Sequence, residues 1–68
     1  MNEETFNLSL RKFLKTVGVN SQLAIEKAVR QAIEEGKLKG SESLPAEMTL
    51  VVQGLNVKIT FDGELRLD

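Results

Sequence analysis

The chain has no cysteine, no histidine, no tryptophan and no tyrosine. The first absence excludes disulfides and thiolate metal sites, and the second excludes every site built on imidazole. A nucleophilic serine, threonine or lysine would therefore have to find a carboxylate or lysine as its base, and no spacing in the chain suggests such a pair. Without tryptophan or tyrosine, base stacking on nucleic acid would fall to three phenylalanines, and all three lie on apolar stripes. No uninterrupted apolar run exceeds three residues, so no membrane span is expected. The start, Met1-Asn2-Glu3-Glu4, is acidic with no apolar segment behind it, unlike a signal peptide. The lack of cysteine fits a cytoplasmic address.

What remains is ordinary globular composition: 68 residues, 41% hydrophobic, 28% charged, net charge −1. One small soluble domain is expected, residues 1–68, with few means of support besides a partner subunit. Charge is uneven. Residues 1–40 hold seven Lys/Arg and five Asp/Glu, and residues 41–68 hold two and five. That asymmetry is too mild for an obligate nucleic-acid binder.

The pattern reads as two helices and three strands. Asn2 caps a helix over about 2–17, with Glu3 and Glu4 in its first turn. Its apolar stripe is Phe6, Leu10, Phe13, Leu14 and Val17, and Gly18 supplies a left-handed stop. Asn20 or Ser21 caps a second helix over about 21–35, with Ile25, Ala28, Val29, Ala32 and Ile33 as its stripe and Gly36 as its end. Residues 36–47 read as a loop, with Leu38 and Leu44 expected to pin it to the core. Strands follow at about 48–53, 56–61 and 64–67, each alternating apolar and polar residues. A two-residue type II′ turn at Gly54-Leu55 sets Val52 opposite Val57, Leu50 opposite Ile59 and Met48 opposite Phe61. A three-residue turn, Phe61-Asp62-Gly63 with Gly63 left-handed, sets Ile59 opposite Leu65 and Val57 opposite Leu67. The expected fold is α+β, a helical hairpin packed on one face of a three-stranded antiparallel meander (ααβββ), in two layers.

The stretches Asn2–Asn7, Arg11–Val19, Ile25–Arg30 and Gly36–Gly40 together resemble a family of very short bacterial proteins known only as a domain of unknown function. The resemblance covers nearly the whole chain. It implies a compact stand-alone domain and assigns no activity, cofactor or functional residue. Where this chain has Leu23-Ala24, the family more often has a basic–acidic pair, so a capping-box glutamate is missing.

Several local patterns invite chemical readings. Lys37-Leu38-Lys39-Gly40-Ser41 has the residues of a phosphate loop in the wrong order, after a helix rather than a strand, and reads as a solvated loop. Asp62-Gly63-Glu64 offers too few oxygens for calcium and reads as a turn. The expected break at Gly18 suggests a helix-turn-helix offering Gln22, Lys27, Arg30 and Gln31 to bases, but Glu26, Glu34 and Glu35 share that helix and no third helix supports it.

Two surfaces stand out. Leu8 and Leu23 leave the buried stripes and sit among Arg11, Lys12, Lys15, Lys27 and Arg30, which suits an acidic protein partner, although lone exposed leucines are common. The strand Met48-Thr49-Leu50-Val51-Val52 lies at a sheet edge and carries no charge, so it is open to pairing with a second copy or a peptide, unless the 36–47 loop covers it. The function expected is therefore non-enzymatic protein interaction without a cofactor, with a homodimer through the edge strand as one form. The alternative is a small nucleic-acid-binding or regulatory protein that uses the basic helix faces.

Overall fold

A computed structural model describes all residues, Met1–Asp68. The chain divides into two compact units, Met1–Lys37 and Leu38–Asp68, each taken by itself below. The α+β composition stands, but the element count does not: one helix, α1 (Glu3–Glu34), precedes two strands, β1 (Ser43–Val51) and β2 (Lys58–Arg66). The expected helical hairpin and the third strand are absent.

Helix α1 starts and ends where the sequence signals lie. The Asn2 side chain accepts a hydrogen bond from the Thr5 N–H at 3.0 Å, and Glu3 and Glu4 follow in the first turn. At the far end Gly36 is left-handed, at φ 76°. There the Gly36 N–H donates to the Ile33 carbonyl and the Lys37 N–H to the Ala32 carbonyl. This crossed pair is a Schellman close, which satisfies two carbonyls that the helix itself leaves free.

The expected stop at Gly18 does not form, because Gly18 keeps a negative φ inside the helix. Nor does Asn20 cap a new helix. Its side-chain N–H donates backward to the Thr16 carbonyl at 2.9 Å, a bond available only if the helix passes through. Further on, Gln22 bonds Glu26, Arg30 pairs with Glu26 at 3.6 Å, and Gln31 bonds Glu35. Each is an (i, i+4) contact worth a few tenths of a kcal/mol, ~0.2–0.5 apiece. Glycine costs a helix interior only about 1 kcal/mol relative to alanine, which 32 residues with good caps at both ends absorb.

The second unit is a two-stranded antiparallel hairpin. Its register sets Met48 opposite Phe61 and Leu50 opposite Ile59, as the alternation requires. The turn differs from expectation. Pairing stops at Val51 and Lys58, and the tight turn is Val52–Leu55, closed by the Leu55 N–H on the Val52 carbonyl at 3.2 Å. Gly54 holds its third position at φ 83°, so the turn is type II-like rather than type II′.

The chain does not fold back at Phe61-Asp62-Gly63. Gly63 lacks a positive φ and lies within β2, opposite Ala46. Residues 43–47, expected in a loop, extend β1 instead and pair with 62–66, so Leu65 meets Leu44 rather than Ile59. The physical reason is parity. Leu44, Ala46, Met48 and Leu50 alternate without a slip, as do Ile59, Phe61, Gly63 and Leu65, and one straight pairing places all eight on one face. The other face carries Ser43, Pro45, Glu47, Thr49 and Val51 across from Arg66, Glu64, Asp62, Thr60 and Lys58.

Neither unit has an interior, and no residue in the chain is buried. Replacing Gly18 with alanine is expected to raise stability by about 1 kcal/mol, since a Cβ there meets nothing within 4 Å. The check is the thermal or urea melt of the helical circular dichroism signal. A loss of stability instead would mean that Gly18 occupies a left-handed stop in solution.

Candidate interaction surfaces

Because α1 is continuous, residues that two helices would have separated share one cylinder. At 100° per residue, Leu8, Lys12, Lys15, Leu23 and Arg30 fall within an arc of about 80°. Arg11 and Lys27 flank that arc on either side. Val19, which the sequence pattern had assigned to a connector, falls in its middle. Leu8, Val19 and Leu23 are 62%, 51% and 59% exposed. Arg30 is paired with Glu26, whereas Arg11, Lys12, Lys15 and Lys27 form no ion pair. All seven predicted residues thus lie on or beside one mainly basic face with three apolar spots, with Glu26 inside the arc and Glu4 and Glu34 beside it. Leu23, Glu26, Lys27 and Arg30 also border a shallow surface groove with Gln31, Glu34 and Glu35. The helix-turn-helix reading fails here, since there is no second helix to enter a groove.

The opposite face of α1 carries a longer apolar stripe than either predicted helix did. Phe6, Leu10, Leu14, Val17, Ser21, Ile25, Ala28 and Ala32 follow one another at steps of four, four, three, four, four, three and four. That is an 11-residue repeat, close to the helix's own period, so the stripe runs almost straight along the axis. Phe13 widens it on one side, whereas Val29 and Ile33 fall about 40° and 80° past its other edge. The signal was present in the sequence, but Gly18 and the polar Ser21 hid it by suggesting a break.

The predicted edge, Met48–Val52, belongs to β1 except for Val52, which lies in the loop. The Leu67 N–H donates to the Glu42 carbonyl, which fixes the alternation of the ladder. Residues 44, 46, 48 and 50 bond to β2, and residues 43, 45, 47, 49 and 51 turn their main-chain groups outward. Thr49 and Thr60 are consistent with this, as their hydroxyls meet at 3.1 Å across a non-bonded pair. Two features moderate the edge. Pro45 sits at an outward position and removes a donor, and Glu47 adds a charge. Both are edge-blunting devices, and the extension of β1 back to Ser43 brings them into the strand. The open stretch is therefore Glu47–Val51.

The segment that opens the second unit, ahead of β1, contains an anion cradle filled from within. The Glu42 carboxylate accepts the main-chain N–H groups of Lys39, Gly40 and Ser41 at 2.7, 2.9 and 3.1 Å. Gly40 is left-handed at φ 98°, which turns successive N–H groups toward one point. The segment that resembled a phosphate loop does gather donors, but its ligand is the next acid in the chain. Asp62 and Glu64 lie two residues apart on the polar face of β2, with Glu47 directly across from Asp62. No group of three or more His, Cys, Asp or Glu side chains is placed to hold a metal ion. No helix is long and apolar enough to cross a membrane.

The Lys39 N–H above all, with those of Gly40 and Ser41, holds the Glu42 carboxyl below its ordinary value. A carboxyl depressed on folding contributes stability that is present above its unfolded pKa and is lost as pH falls through the folded one. Carbon-detected NMR titration is expected to show Glu42 titrating below the ordinary glutamate value. Glu42→Gln is expected to remove its share of the acid destabilisation. A Glu42 that titrates at the ordinary value would refute the cradle.

No curated protein and no solved structure matches the chain. Over residues 1–68 it matches the sequence pattern described as a family of unknown function, DUF6494, and it belongs to that family.

Proposed function

We propose that the chain is a small non-enzymatic protein-interaction domain that acts in the cytoplasm and associates with itself. One observation carries this reading: each unit, taken by itself, is amphipathic and has no second layer to bury its apolar side. On α1, Phe13 and Leu14 are 52% and 55% exposed; on the hairpin, Phe61 is 57% exposed. Contiguous apolar surface of this kind marks interaction sites. A lone two-stranded hairpin is marginal in water, and most helical stability comes from packing of the apolar face. A partner surface supplies what both units lack.

A second reading rests on the basic face. Arg11, Lys12, Lys15 and Lys27 are unpaired and lie on or beside one arc of α1, which would suit an acidic protein or a nucleic-acid backbone. Retention on DNA that weakens steeply with salt would support the latter, and no retention at low salt would remove it.

The test of the main reading is solution mass by light scattering, across a concentration series at low and high salt. A mass above one chain that persists in high salt is expected, because apolar contacts are little screened. A strict monomer at every concentration would sink self-association. Val51→Lys then examines the β1 edge, since a reduced mass would place Glu47–Val51 in the contact and an unchanged mass would clear it.

A further inference from the structure

The stripe on α1 has a symmetry that the single chain does not use. Counted from Ser21, its residues stand at −15, −11, −7, −4, 0, +4, +7 and +11. Every position within the helix except Phe6 has a mirror position also on the stripe, and the mirror of Phe6 is Gly36, just past the helix end. Sizes are mirrored inversely. Phe6 corresponds to Gly36, Leu10 to Ala32 and Leu14 to Ala28, while Val17 corresponds to Ile25. Phe6, Leu10 and Leu14 begin the stripe, Ala28 and Ala32 end it, and Val17 and Ile25 flank its centre.

From this we infer that α1 pairs with a second copy of itself, antiparallel, about a two-fold axis at Ser21. The inference rests on the self-association reading above and specifies its surface. In that arrangement Leu10 and Leu14 meet Ala32 and Ala28, while the medium-sized Val17 and Ile25 meet near the axis, and the two helix axes keep a similar spacing along the contact. A parallel pair would set Phe6, Leu10 and Leu14 against their own copies at one end. At the other end it would leave Ala28 and Ala32 facing a gap, and packed interiors do not tolerate such voids.

Antiparallel pairing also opposes the helix dipoles. The stripe from Phe6 to Ala32 runs for about seven turns of the helix, and a closed two-fold pair ends the assembly at two copies.

The chain has no cysteine, so single introduced thiols report cleanly. Packed helices lie about 8–10 Å apart with Cα atoms ~2.3 Å from each axis. Facing Cα atoms are then about 3.5–5.5 Å apart before any axial offset, which overlaps the ~4.4–6.8 Å that a disulfide needs. Ser21→Cys is expected to oxidise to a covalent dimer. Leu10→Cys and Ala32→Cys are expected to stay uncrosslinked alone and to link when mixed. Ser9→Cys, off the stripe, serves as the collision control. Each reduced variant is checked for wild-type helicity and mass, and Ser21→Cys alone decides if the Leu10 or Ala32 variant departs from them. Self-linking of Leu10→Cys, or equal linking at Ser9, would overturn the antiparallel pair. A wild-type mass above one chain with no linking at Ser21 would overturn it too, while leaving the interaction-domain reading standing. A monomer at all concentrations would remove both.

Discussion

The unbroken ladder of main-chain hydrogen bonds through Gly18 decides where every other side chain of the first unit points. A helix advances 100° per residue, so one stop of two or three residues would reset the phase of everything after it. With no stop, Leu14, Val17, Ser21 and Ile25 line up, and Lys15, Val19 and Leu23 line up on the far side. The backward bond from Asn20 to the Thr16 carbonyl and the chain of contacts through Gln22, Glu26 and Arg30 are local results of that continuity. The apolar stripe, the basic face and the mirror relation about Ser21 all depend on it.

The hairpin rests on an equally simple constraint, the period of two. Once Leu50 faces Ile59, each partner along both strands is fixed until a bulge intervenes, and none does between Ser43 and Arg66. Glycine at position 63 fits because the chain passes straight through it opposite Ala46, which leaves a shallow place in the apolar face between Leu65 and Phe61. The outward main-chain positions follow from the same alternation, and Pro45 falls on one of them, where its missing N–H costs the ladder nothing.

Much of this was legible in the residues. Asn2 and Gly36 mark the true ends of α1, and the Met48–Phe61 and Leu50–Ile59 pairs follow from alternation alone. Besides the turn at Gly54, three features were misread, each because a local signal competed with a longer pattern. Gly18 followed by Asn20 and Ser21 has the chemistry of a stop and a restart, yet the stripe is in phase across it. Asp62-Gly63 has the chemistry of a turn, yet alternation continues through it. Proline at 45 suggested a loop, although an edge strand accepts it. Leu8, Arg11, Lys12, Lys15, Leu23, Lys27 and Arg30 do lie on or beside one face, because the helix that joins them was longer than expected, and Val19 was missed for the same reason.

The Glu42 cradle has a consequence for any anion in solution. The three donors of Lys39, Gly40 and Ser41 would make a modest binding site for phosphate or sulfate if they stood empty. Here the competitor is tethered within three residues, at an effective concentration of millimolar or more for so short a link. Free anions must displace a group that never diffuses away. The turn therefore behaves as a self-inhibited receptor, and its shape is set by the chain's own chemistry rather than by the ionic make-up of its surroundings.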